Sequence, residues 1–277
     1  MGGSVKVRSP RSRVGSQRGA SRVDVVVAAA LVGLLAGWFG FSRVGERGRV
    51  GRCAAKLRVL GQAVSSYADD HHDGIPAAAI NLGGLTSTWD EELFPYLKPG
   101  LAKASGAYEK RQLLQAVQPL FLCPADALSR GGHSRSYSMA AREMTCGWPP
   151  RSDDKTSVGL YWISQTVVVL GDAAAREAAK HPELLPRLKR SVLPAPADVL
   201  LLTELVSSNN TMVSQYGARV WDVNEQQAVS KQARRLHSGK FNYLLADGHV
   251  ELLTKLQTGG AGGDASPKGI WTIKAGD

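Results

Sequence analysis

The residues best suited to chemistry lie near the C-terminus, in Arg235-Leu236-His237-Ser238-Gly239-Lys240-Phe241-Asn242-Tyr243-Leu244-Leu245-Ala246-Asp247-Gly248-His249-Val250-Glu251. Nine residues separate His237 from Asp247-Gly248, an H-x(9)-D-G spacing. Histidine changes charge near neutral pH and ligates metals, so it can serve as a base or as a ligand. A catalytic arrangement would use His237 as the base, with Asp247 or Glu204 orienting it. The serine nucleophile would then have to come from elsewhere, and the chain has no G-x-S-x-G elbow. A metal arrangement would take His237, Asp247 and His249, with Glu204 as a fourth ligand. The plainer reading gives Asp247 and Gly248 to a turn and His237 to a backbone hydrogen bond. That reading is favoured, and it predicts a non-enzyme with no obligatory cofactor, a divalent metal being the alternative.

Two β-prone runs, 241–246 and 249–253, flank Asp247-Gly248 and predict a hairpin. Asp-Gly suits a two-residue type I′ turn, whose central positions both need positive φ. A second polar cluster, Asp69-Asp70-His71-His72-Asp73-Gly74, fails as a calcium loop. With Asp69 in its first position, Ile80 would stand where a bidentate Glu is required. It reads instead as a solvated helix end. Three cysteines without C-x-x-C spacing exclude a zinc ribbon and a disulfide scaffold.

The elements that position these residues follow from periodicity. Leu57, Leu60, Val64, Tyr67 and Ala68 predict an amphipathic helix to about His72, ended by Asp73-Gly74-Ile75-Pro76. Upstream, Gly45, Gly48 and Gly51 predict a soft joint in one long N-terminal helix. Residues 89–97, 108–120 and 173–188 read as helical and 199–204 as a buried strand. Residues 207–232 read as loop and 270–273 as a short edge strand.

The formal net charge of +10 resides at the N-terminus. Residues 1–58 hold twelve Lys/Arg and two acids, and the remainder balances at 22 of each, so the globular part has no nucleic-acid footprint. Residues 1–19 form a basic leader without acids. Residues 25–41 are 17 uncharged residues, about 25 Å of helix, at the short end of a transmembrane span. Asp24 stands at the edge of that run, where a carboxylate next to hydrocarbon is costly without a partner.

Gly19-Ala20-Ser21-Arg22-Val23-Asp24 resembles the type IV prepilin signature, with Ala20, Arg22 and Asp24 where an aromatic, an apolar residue and Glu are usual. Together with Cys53-Ala54-Ala55-Lys56-Leu57-Arg58, Tyr67-Ala68-Asp69-Asp70, Gly74-Ile75-Pro76, Cys123-Pro124-Ala125-Asp126, Ser136-Tyr137-Ser138-Met139 and the H-x(9)-D-G hairpin, the chain resembles a bacterial family. These are prepilin-like (pseudopilin-type) proteins with an H-x(9)-D-G C-terminal domain, abundant in planctomycetes and relatives. The resemblance implies an α+β protein with a long pilin-like N-terminal helix, its first half transmembrane, packed on an antiparallel sheet with further helices. It divides the chain into a leader (1–19), a transmembrane segment (20–42), a helix entering the head (43–76) and the head (77–277), with the hairpin motif at 237–253. Gly19, Ala20 and Asp24 become processing residues, and His237, Asp247 and Gly248 the motif residues.

The implied protein is a single-pass inner-membrane pseudopilin with a periplasmic or extracytoplasmic head. It would be a subunit of, or accessory to, a type II secretion or type IV pilus-like system. Its partners would be the membrane and other pilin-like subunits or secretion machinery, not nucleic acid. The alternative is an anchored binding protein or metal-dependent enzyme that uses the pilin-like segment only for export. An oxidising compartment favours pairing of cysteines. Cys53 and Cys123 coincide with landmarks of the resembled family, which implies a Cys53–Cys123 bond, with Cys123–Cys146 second.

Overall fold

The computed structural model describes residues 22–82, 85–98, 107–143, 157–163, 177, 180–181, 185–220, 226, 233–258 and 268–274, with side chains from Gly45 onward except at 82, 85, 107–108, 110, 142–143, 161–163, 233–235 and 255. Met1–Gly45 and Glu46–Asp277 form two separate units, and the second carries the fold described below.

Helix α1 (Arg22–Asp70) is the first element, helical through Gly45, Gly48 and Gly51. Its buried positions Cys53, Leu57, Leu60, Val64, Tyr67 and Ala68 recur every three or four residues, and Arg58, Gln62, Ser66 and Asp69 face outward. The helix ends where His72 and Asp73 take φ of 54° and 70°, values that no helix accommodates. Among the described residues no helix is long and apolar enough to cross a membrane. The expected transmembrane run at 25–41 lies outside the described side chains, and the leader with Gly19 and Ala20 lies outside the described residues.

The head is α+β. Its strands are β1 (Ala79–Leu82), β2 (Leu85–Thr88), β3 (Tyr137–Glu143), β4 (Gly159–Ile163), β5 (Leu200–Glu204), β6 (Arg219–Val220), β7 (Phe241–Leu245) and β8 (Val250–Leu253). They form one sheet in the order β2-β1-β4-β3-β5-β7-β8, with β6 beside β3. The sheet is mixed, not antiparallel as the sequence led us to expect. The β1–β4, β3–β4 and β3–β6 pairs are parallel, each across a connection long enough for a crossover. Helices α2 (Trp89–Leu97) and α3 (Ala107–Phe121) join α1 around the core, where Trp89 and Phe94 meet Phe121 with ring centroids 5.7 and 6.2 Å apart.

Register assigns the faces. Tyr137 pairs with Glu204, and Leu202 with Leu244, so Tyr137, Met139, Leu202, Glu204, Asn242 and Leu244 share one face. Helix α1 lies on that face. A Cβ on Gly61 would stand 3.1 Å from Leu244 Cδ1, and Tyr137 Oη donates to the Cys53 carbonyl at 3.5 Å. The opposite face, with Thr203 and Tyr243, is covered by Gln226 and Trp271. Strands covered on both faces have no solvent-facing side, which explains the unbroken burial of β5 and β7.

Three further sequence expectations are corrected. The hairpin turn is not type I′. Gly248 has φ of 94° but Asp247 is not in the positive region, and Gly248 N–H donates to the Leu245 carbonyl. This is a three-residue loop closed by a left-handed glycine. Residues 270–273 form no strand, because Gly269–Trp271 is a 3-10 turn that drives Trp271 into the core. The expected helix over 173–188 does not include residues 185–188, which run as a bend and coil whose Leu188 carbonyl accepts from Ile75 N–H at 2.8 Å.

Candidate functional site

The α1 face of the sheet carries a buried polar centre at the C-terminal end of β5. Cys53 comes from α1, Cys123 from the turn after α3, Glu204 from β5 and His237 from the turn before β7. Cys53 and Cys123 form a disulfide with Cα atoms 5.1 Å apart. Cys146, the other cysteine, lies outside the described residues.

Glu204 is wholly buried and fully engaged. Its Oε2 accepts from the Asn242 backbone N–H at 2.8 Å, and its Oε1 accepts from Asn242 Nδ2 at 3.2 Å and from His237 Nε2 at 2.9 Å. A carboxylate only accepts, so Nε2 carries the proton. The same Nε2 is 3.4 Å from Cys123 Sγ. The other ring nitrogen, Nδ1, lies 3.5 Å from Glu46 Oε1, and both atoms are buried without a hydrogen-bond partner. Burial disfavours a charged ring here, but Glu204 and then Glu46 outweigh it and hold the His237 pKa above its ordinary value. Burial, with the Glu204 and Asp126 charges, keeps the neighbouring Tyr137 phenol protonated.

The backbone that delivers His237 is unusual. His237, Ser238 and Gly239 have φ of 44°, 59° and 86°, a run in the left-handed region. For a non-glycine residue this costs about 1–2 kcal/mol, a cost that tends to persist where surrounding contacts fix the conformation.

Sequence landmarks far apart in the chain converge on this centre. Asp126 accepts from Ser136 Oγ and from Arg130, each at 2.7 Å, with both charged side chains fully buried. Ser136 N–H donates to the Phe121 carbonyl at 2.8 Å, and Lys56 Nζ donates to the Leu122 carbonyl at 2.8 Å. The Cys-Pro-Ala-Asp turn is thereby fixed to both α1 and β3. Nearby, Arg135 pairs with Asp90 in full burial, and its Nε donates to Asn210 Oδ1 at 2.8 Å.

The quartet His237, Asp247, His249 and Glu204 expected as metal ligands is divided by the fold. His237 and Glu204 meet in the buried centre. Asp247 and His249 form a partly exposed pair at 2.6 Å in the hairpin turn. There Asp247 Oδ1 also accepts from the His249 N–H at 3.0 Å, and these bonds hold its carboxyl below the ordinary range. The turn interrupts the pleat, so these two side chains cannot follow the strand into the core. Asp247 and Gly248 instead line a surface pocket with Gly61, Ser65 and Arg190. Among the described residues, the group of three or more potential ligands whose atoms lie within 4.8 Å of one another is Cys53, Cys123, Glu204 and His237.

Sequence reasoning missed Glu46 and Asn242. Glu46 did leave a signal, as the lone acid between Asp24 and Asp69, two helical turns before Cys53 and therefore on its face. Compared with protein-family models, curated proteins and solved structures, the chain matches none.

Proposed function

We propose that the chain is a membrane-anchored, pseudopilin-like subunit or accessory protein of a type II secretion or type IV pilus-like system, with its head outside the cytoplasm. One observation carries the reading. The helix whose Cys53–Ala68 face lies on the head's sheet is also, in sequence, the helix that takes in the apolar run at 25–41. A buried disulfide in the head suits an oxidising compartment. The basic leader and Asp24 supply the remaining features of a prepilin-type N-terminus. In an assembly, Asp24 would meet the new amino terminus of a neighbouring subunit, which relieves its desolvation.

Mass spectrometry of the native N-terminus tests the pilin route. A mature chain starting at Ala20 is the expected result, and a chain that retains residues 1–19 overturns prepilin processing. A reporter fused after residue 60 should be active only outside the cytoplasm; activity confined to the cytoplasm overturns the orientation. Asp24→Ala is expected to block assembly while leaving the head folded.

A further inference from the structure

The buried centre contains more than a disulfide requires. A structural disulfide needs no ionisable neighbours, yet the His237 imidazole and the engaged Glu204 carboxylate stand beside Cys53–Cys123, and a second carboxylate, Glu46, stands behind the imidazole. We propose that the reduced chain binds one zinc ion through Cys53, Cys123, His237 and Glu204, so that the disulfide and the metal are alternative occupants of one site.

The donor set fits. Zinc takes four ligands from thiolate, imidazole and carboxylate in tetrahedral array. Here the candidate atoms already lie within 4.8 Å of one another. Two Zn–S bonds of about 2.3 Å at a tetrahedral angle place the sulfurs about 3.8 Å apart, a separation that side-chain rotation supplies once the S–S bond is broken. Cα atoms 5.1 Å apart need no backbone displacement for this.

The surroundings fit independently. A metal-bound histidine ordinarily donates its other ring N–H to a carboxylate. Nε2 faces Cys123 and Glu204, while Nδ1 faces Glu46 Oε1 at 3.5 Å, and neither Nδ1 nor Oε1 has a hydrogen-bond partner. With zinc on Nε2, Nδ1 carries the proton and Glu46 accepts it, so both atoms gain a partner. Glu204 is already oriented by Asn242 N–H and Nδ2, the hydrogen bonding that a ligating carboxylate needs.

Conversion begins with a dithiol reductant that reaches the bond while the head is unfolded, since both sulfurs are buried in the folded head. The Cys53–Cys123 bond breaks, and two electrons and two protons pass to the sulfurs as the reductant closes to its own disulfide. Zinc then displaces both thiol protons to solvent. Because the centre is buried, loading accompanies folding of the reduced chain.

The test uses the full-length Cys146→Ser chain in detergent, reduced anaerobically with a phosphine, with zinc or cobalt(II) alone as probe. One metal per reduced chain is expected and none per oxidised chain. Cobalt should show thiolate charge-transfer bands, and metal should protect Cys53 and Cys123 from alkylation. Glu46→Gln leaves all four ligands in place and should weaken affinity about 10- to 100-fold. His237→Gln and Glu204→Gln should weaken it further. Substoichiometric metal, cobalt spectra without thiolate bands, or binding by the His237→Gln and Glu204→Gln chains as tight as by the parent chain overturns the proposal. So does a reduced chain that unfolds and is not refolded by zinc.

Discussion

At the scale of single residues, the buried charges decide most. Glu204 is wholly buried, and its position is fixed by Asn242 and His237. Removing one partner of a buried pair strands the other without water, at a cost of about 3–5 kcal/mol. Glu204→Ala is therefore expected to lower the unfolding free energy of the oxidised chain by about that amount, read from denaturant titration of tryptophan fluorescence. A loss below about 1 kcal/mol would show that His237 rests on Glu46 or solvent instead. The sequence named Glu204 among the candidate partners of His237, beside Asp247 and His249 of the motif, but not Cys123 or Glu46, and it favoured a backbone hydrogen bond that the buried Glu204 contact replaces. Glu204 comes from 33 residues upstream on β5 and Cys123 from 114 residues upstream beside α3. Such contacts arise from strand register and helix docking, and no local spacing encodes them.

At the scale of elements, close approach sets the constraints. Gly159 on β4 pairs with Ala141 on β3, and a Cβ there would meet Met139 Cγ at 2.8 Å and the Ala140 carbonyl and Ala78 Cβ at 2.9 Å. Backbone cannot yield as a side chain does, so Gly159→Ala should destabilise by about 1–3 kcal/mol through overpacking. Gly131→Ala, with open space around it, should leave the denaturation midpoint unchanged. A second element-level contact joins the end of α1 to the 189–191 segment. Asp73 accepts from Ser191 N–H and Arg190 Nε, each at 2.8 Å, and these bonds, Ser191's foremost, hold its carboxyl at about 2. A depressed carboxyl stabilises fully above its unfolded value near 3.8 and loses that stabilisation as pH falls toward 2. Asp73→Asn should flatten the decline of the urea midpoint between those pH values and leave the chain less stable at neutral pH. An unaltered acid limb would sink this assignment. The elements legible in advance were those with a strong period or a strong turn: the 53–70 face of α1, α2, α3, β5 and the β7–β8 hairpin. Strands β1 and β2 were not. They are four residues each, and their hairpin joins the sheet only where Ala79–Leu82 pairs in parallel with β4, more than seventy residues later. The turn type failed for a related reason. Asp-Gly permits two left-handed residues, but the loop uses the freedom of Gly248 alone.

At the scale of the whole chain, the Cys53–Cys123 bond fastens α1 to the sheet-bearing unit across a separation of 70 residues. Packing alone already places Leu57, Leu60 and Val64 in the core, so the bond is not needed to specify where the helix lies. Its contribution is to the unfolded chain. Closing a loop of this size removes entropy worth about 4 kcal/mol in the chain-entropy model. Oxidised chain and the Cys53→Ala/Cys123→Ala double variant should therefore differ by roughly that amount in denaturant unfolding, plus whatever two small cavities cost separately. The same bond also reports the compartment. Both sulfurs are inaccessible once the head is folded, with Cys53 0% and Cys123 2% exposed, so their oxidation state is fixed as the chain folds. Peptide mapping without reduction, on protein denatured in alkylating agent as the cells are lysed, should yield one cross-linked pair joining Cys53 to Cys123 when the head folds outside the cytoplasm. If both are recovered as free, alkylated thiols from cells that carry a normal export apparatus, the head folded in a reducing compartment. The orientation proposed for the chain would then be wrong, whatever its N-terminus resembles.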